Sequence, residues 1–125
     1  MSRVSIRYII DDVPAAMKFY TTHLSFTVEH DASPAFASVV RDGVRLFLSG
    51  DGSSGKRALA DGREQTSGGW NRVHIEVDSI EAEVERLRAE GVKFRTNDII
   101  TGPGGAQVIV EDPSGNPVEI FQGKR

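Results

Sequence analysis

The chain has no cysteine among its 125 residues. Disulfides, thiolate metal sites and a cysteine nucleophile are therefore excluded. A surplus of positive charge is missing as well: 15 lysines and arginines face 18 aspartates and glutamates, for a net charge of −3. No basic stripe interrupts that balance, so no nucleic-acid partner is expected. Long apolar runs are absent too. Met1-Ser2-Arg3 leads straight into an alternating stretch that ends at Ile10, too short and too polar for a signal peptide or a membrane span. The expectation is a cytoplasmic protein with no membrane partner. None of the serines stands in a Gly-x-Ser-x-Gly elbow, so no nucleophile constellation emerges and the catalytic residues stay unknown. What is there, 38% hydrophobic and 26% charged residues, is the ordinary mixture of a globular protein. The length fits one compact domain or two very small modules that share a core.

Residues 3–10 alternate and are rich in β-branched and aromatic types, which predicts a strand. Asp11-Asp12 stops it and caps a helix with Pro14 in its first turn. Val13, Met17, Tyr20 and Leu24 follow at helical spacing and form one apolar face. Residues 25–30, 36–41 and 44–49 read as three more strands, with Asp31-Ala32-Ser33-Pro34 and Asp42-Gly43 as turns. From 50 to 69 glycine, serine and charged residues dominate. That segment is expected to be a linker or mobile loop without an element of its own.

The pattern then repeats. Residues 72–77 read as a strand, Asp78-Ser79 as the cap, and 80–90 as a helix closed by Gly91. Its apolar face, Ile80, Val84 and Leu87, lies 67 residues after Val13, Met17 and Tyr20, in the same order. Residues 92–95, 107–111 and 118–122 read as strands. Gly102-Pro103-Gly104-Gly105 lacks the Lys-Ser/Thr and the helix of a phosphate loop and reads as a turn. Val44-Arg45-Leu46-Phe47 matches Val118-Glu119-Ile120-Phe121. Two such series in one short chain indicate an internal repeat. One βαβββ unit cannot close its own sheet. The expected fold is therefore α+β: two tandem βαβββ modules, 3–49 and 70–122, within a single domain over 1–125. They would form a curved eight-stranded mixed sheet with helices outside and a ligand cleft inside.

Three segments carry a family resemblance. Asp12-Val13-x-Ala15-Ala16-x-x-Phe19-Tyr20-x-x-x-Leu24-Ser25-Phe26 looks like the first helix and following strand of the vicinal oxygen chelate superfamily, which holds glyoxalases, bleomycin resistance proteins and extradiol dioxygenases. Glu111-Asp112-Pro113-Ser114-Gly115-Asn116-Pro117-Val118-Glu119-Ile120 resembles its closing hairpin. The stretch from Phe36 to Phe47 is similar to bleomycin resistance proteins in particular. The resemblance implies four equivalent points on inward-facing strands, where metal-dependent members place His, Gln or Glu. Overlaying the two halves puts these points on Ser5 and Arg45 in the first module and on Arg72 and Glu119 in the second. Only Glu119 ligates a metal well, and the arginines repel one. His74, one pleat beyond Arg72 on the same strand face, pairs with Glu119 as half of a metal site if the register shifts slightly. Otherwise His74 is an ordinary strand histidine and Glu119 the ion-pair partner of Arg45 or Arg72. His23 and His30 fall in no motif and are expected at the surface.

The candidate ligand-binding residues are accordingly Ser5, Arg7, Arg45, Phe47, Trp70, Arg72, His74 and Glu119. Phe36 and Phe121 are the further aromatics beside the cleft. Trp70 follows Gly68-Gly69, where a movable ring can close over a flat ligand. Two functions compete. One is a metal-free protein of resistance or sequestration type that binds a small flat polar or anionic molecule, with no cofactor. The other is a metal-dependent lyase, isomerase or dioxygenase that uses His74 and Glu119 with a divalent metal. The resemblance also implies a homodimer.

Overall fold

The computed structural model describes residues 2–124. The chain divides into two compact units, one up to Gly68 and one from Gly69 onward. In the first, β1 (Ser5–Ile9), α1 (Val13–His23), β2 (Thr27–Ala32), β3 (Phe36–Arg41) and β4 (Val44–Ser49) follow in order, then a 3-10 turn at Ser54–Lys56. In the second come β5 (Val73–Glu76), α2 (Ile80–Ala89), β6 (Lys93–Phe94), β7 (Ile100–Gly102), β8 (Gly105–Glu111) and β9 (Pro117–Gly123). The α+β class and the tandem βαβββ plan hold. Each unit carries its own sheet, with strand orders β1-β4-β3-β2 and β5-β9-β8-β6, and β7 adds a short ninth strand against β8. In both, the first strand lies parallel to the last and every other pairing is antiparallel.

Local chemistry fixes both helix starts. Asp12 Oδ1 accepts the Ala15 N–H at 3.0 Å, and Ser79 Oγ accepts that of Ala82 at 3.2 Å. Each cap satisfies one N–H that has no partner within the helix. α2 buries Ile80, Val84 and Leu87 as its spacing requires. α1 departs from expectation: Ala16 and Phe19 join Val13 and Tyr20 in the core, and Met17 is only half-buried. A 3.6-residue period brings positions 13, 16, 19 and 20 onto one face as readily as 13, 17 and 20. Tyr20 then meets Tyr8, Phe19 and Phe26 edge-on with ring centres 5.1–6.0 Å apart.

Along β3 and β4, Ala37, Val39, Leu46 and Leu48 are fully buried. Val108, Val110, Val118 and Ile120 do the same on β8 and β9. Each larger side chain contributes roughly 1.5–3 kcal/mol by leaving water. Strand alternation sends their neighbours to the opposite, helix-free face of each sheet. No helix among the described residues is long and apolar enough to cross a membrane.

The 50–69 segment differs from the featureless linker expected of its composition. Gly50 N–H donates to Ala35 O at 2.8 Å, Lys56 Nζ reaches Ile10 O at 3.0 Å, and Leu59 N–H closes a turn on Arg63 O at 2.8 Å. The first two bonds attach the segment to the first unit, the third closes a local turn, and none leaves a periodicity for a sequence to display.

Candidate functional site

In the first unit, the helix-free face gathers Ser5 and Arg7 of β1, Phe36 and Ser38 of β3, and Arg45, Phe47 and Ser49 of β4. Ser5 and Arg45 are register partners, and Arg45 Nε donates to Ser5 Oγ at 2.6 Å. Arg7 pairs in register with Phe47 and donates from Nη1 to Ser49 Oγ at 2.8 Å. Both guanidinium carbons lie over the Phe47 ring, 5.1 Å from its centre for Arg7 and 4.8 Å for Arg45. Phe36 backs the same ring at 5.4 Å. Glu29, two residues after Thr27 and next to a register shift between Val28 and His30, also reaches this face. There its carboxylate accepts from Arg3 Nη1 at 2.9 Å and Ser38 Oγ at 3.2 Å, and stands 3.5 Å from Arg45 Nη1. The Arg3 hydrogen bond holds the Glu29 carboxyl below the usual carboxylate range. Among the described residues no carboxylate is placed against Arg7, so three arginines share one acid.

In the second unit Glu119 is nearly enclosed, at 8% exposure. Its Oε1 accepts from Arg72 Nε and Nη2, both at 2.9 Å, and its Oε2 lies 3.6 Å from His74 Nε2. His74 also tilts against Phe121, 4.7 Å between ring centres. Arg72 Nη1 donates to Trp70 O at 3.0 Å. The indole is 68% exposed and lies under Arg95 at 4.6 Å. Arg95 is itself fixed by Glu111 Oε2 at 2.8 Å, Gly69 O at 2.6 Å and Gly115 O at 2.9 Å. The Arg95 hydrogen bond, helped by Lys93, keeps the Glu111 carboxyl below its ordinary range. Trp70 is thus held by two arginines rather than hung from a free loop end.

The strand ladder revises the overlay of the two halves. Arg45 faces Ser5, whereas Glu119 faces His74. If Arg45 and Glu119 are counterparts, the residue matching Ser5 is His74, and Arg72 lies one pleat before it. All eight proposed ligand residues fall within these two clusters. His23 rests against Phe19, and His30 is exposed beside Phe36. Sequence reasoning passed over Glu29, Arg95 and Gly55. Glu29 lies in a strand exposed throughout and so carries no signal of its own, and the partners of Arg95 lie up to 26 residues away.

A divalent metal needs three or more donors that converge on an open position. Among the described residues no group of three His, Asp or Glu side chains is so placed. The one candidate pair, His74 with Glu119, has a guanidinium on the carboxylate, and the first unit offers Ser5 and Arg45 instead. These residues do not fit a divalent cation.

The family model described as Glyoxalase/Bleomycin resistance protein/Dioxygenase superfamily matches residues 3–120. A solved glyoxalase/bleomycin resistance protein/dioxygenase from Nocardioides is 30% identical, with a TM-score of 0.71 over 98% of this chain and 85% of that one. A lactoylglutathione lyase from Agrobacterium tumefaciens shares the fold at 20% identity and a TM-score of 0.75, covering 98% of this chain and 93% of the other. A genomically encoded fosfomycin resistance protein from Listeria monocytogenes shares it at 13% identity and a TM-score of 0.72, covering 99% and 94%. No curated protein matches the chain.

Proposed function

The chain belongs to the Glyoxalase/Bleomycin resistance protein/Dioxygenase superfamily, and from that premise we propose that it binds a small, flat, anionic molecule without a metal, as a resistance or sequestration protein does. One observation carries the reading: the Arg7 and Arg45 guanidinium groups converge on the Phe47 ring of an open sheet face that holds a single acid. A guanidinium fork offers paired N–H donors to a carboxylate or phosphate, and the Phe36 ring, beside the arginine-covered Phe47, offers an aromatic surface to a planar body. Trp70, with one side of its indole under Arg95, supplies a second aromatic surface in the other unit.

Calorimetric titration with 2-naphthoate and with its uncharged analogue 2-naphthamide tests the proposal. The carboxylate is expected to bind at least about tenfold more tightly, and Arg45→Ala to remove that preference. Equal binding of both compounds, or of neither, overturns it. The second reading, a metal-dependent lyase, isomerase or dioxygenase using His74 and Glu119, draws support from their register pairing and their 3.6 Å approach. It requires Arg72 to leave Glu119. One equivalent of zinc, nickel or manganese raising the melting temperature, with His74→Ala abolishing the rise, would favour it. We further propose a cytoplasmic homodimer, checked for its assembly by the mass in solution at micromolar concentration.

A further inference from the structure

We infer that Gly55 and Lys56 are positioning residues that fix the Arg7 guanidinium for anion binding on the four-stranded sheet, an inference that rests on the anion-binding reading above. Arg7 lies on an edge strand and is exposed as a residue. A free arginine there would sample many rotamers, and ordering it would cost an incoming anion part of its affinity. Three contacts already order it: the Ser49 hydroxyl at 2.8 Å, the Phe47 ring, and the backbone of the 3-10 turn at Gly55. A Cβ built on Gly55 would collide with Arg7 Nη1 and lie 2.6 Å from its Cζ and 2.8 Å from Ser49 Oγ.

The backbone of Gly55 lies outside the left-handed region, unlike that of nearby Gly52 at φ +88°. Glycine is therefore required at 55 by its neighbour and not by its own conformation. Lys56 holds the turn in place. Its ammonium donates to Ile10 O at 3.0 Å at the end of β1 and pairs with Asp51 at 2.9 Å and Asp11 at 3.7 Å, with its side chain 14% exposed. The turn is thus fastened to the strand that carries Arg7, and its glycine lets the guanidinium rest against Ser49 and Phe47. The colliding atoms are the flexible end of an arginine and a serine hydroxyl, so alanine at 55 displaces Arg7 and leaves the fold intact.

A double-mutant cycle of Gly55→Ala and Arg7→Ala, read by 2-naphthoate affinity and by melting temperature, tests the inference. Gly55→Ala should weaken 2-naphthoate about as much as Arg7→Ala, on the order of tenfold. It should leave the weaker binding of 2-naphthamide unaltered and cost nothing further in the Arg7→Ala background. Lys56→Met, which unfastens the turn without a collision, should give a smaller loss in the same direction. The melting temperature should fall for Gly55→Ala alone and fall less when Arg7 is already alanine. Additive effects in both readouts overturn the inference. If wild-type protein binds no 2-naphthoate, the anion-binding reading fails by itself. The melting cycle then decides separately whether Gly55 restrains Arg7, with additivity again the overturning result.

Discussion

At one place in the strand ladder the first unit carries Arg45 and the second carries Glu119, and the two residues are accommodated by different means. Arg45 keeps 23% of its side chain in solvent and needs only a hydroxyl, an aromatic ring and a distant share of Glu29. Glu119 has a side chain only 10% exposed and is met by Arg72 on one oxygen and His74 on the other. The difference follows from desolvation. A charge near water loses little of its hydration, whereas an enclosed one must be paired. The consequence is electrostatic. Around Arg45 the cations Arg3, Arg7 and Arg45 outnumber their acid, Glu29. In the second unit Arg72, Lys93 and Arg95 are met by Glu119 and Glu111. The first face is left cationic and suits an anion, while the charges of the second largely satisfy one another.

The sharpest way to break this comparison is to remove one arginine from each cluster. Arg72→Ala leaves Glu119 enclosed without its cation and is expected to cost about 3 kcal/mol in urea unfolding. Arg45→Ala is expected to cost under about 1 kcal/mol, because solvent takes up what it leaves. Equal losses would mean that the two positions are alike after all. A smaller effect is expected of Arg95→Ala, roughly 1.5 kcal/mol for the hydrogen bonds it gives up. Its diagnostic readout is a fall in the fluorescence anisotropy of Trp70, the single tryptophan. An unchanged anisotropy would show that the indole is held by its backbone alone.

The smallest effect concerns acid. The Glu111 carboxyl is depressed by Arg95 and Lys93, so its stabilisation is present above the ordinary carboxylate range. It is lost as pH falls through the depressed folded value. Wild type should therefore exceed Glu111→Gln in unfolding free energy at pH 7, by under about 1 kcal/mol. The gap should narrow as pH falls below the ordinary carboxylate range and close once pH is below the depressed folded value. Glu29 is depressed in the same direction by Arg3 but lies in solvent. Its glutamine variant should show a narrower gap over the same acid range. A gap for Glu29 as wide as that for Glu111 would contradict the charge balance drawn above.

Much of the fold was legible because its determinants are local. Asp12 and Ser79 cap helices with their own side chains, and Asp112-Pro113-Ser114-Gly115-Asn116 closes its turn on the Asp112 carboxylate. The short β7 was missed because Ile100-Thr101-Gly102 is exposed throughout and carries no alternation. The candidate site was half legible. Glu119 was expected to pair with Arg45 or Arg72 and meets Arg72, but Glu29, Arg95 and the contact between Gly55 and Arg7 join residues far apart in the chain.

The repeat, the caps and the two faces of each strand were determined by the amino-acid sequence alone. Tertiary structure decided the register, and the reason is the pleat. Side chains alternate with a period of two, so sliding β5 by two residues leaves every side chain on its own face and changes nothing that a pattern of apolar and polar letters records. Only the hydrogen bonds between β5 and β9 set His74, and not Arg72, opposite Glu119. Only the packing of the 3-10 turn set Gly55 against Arg7.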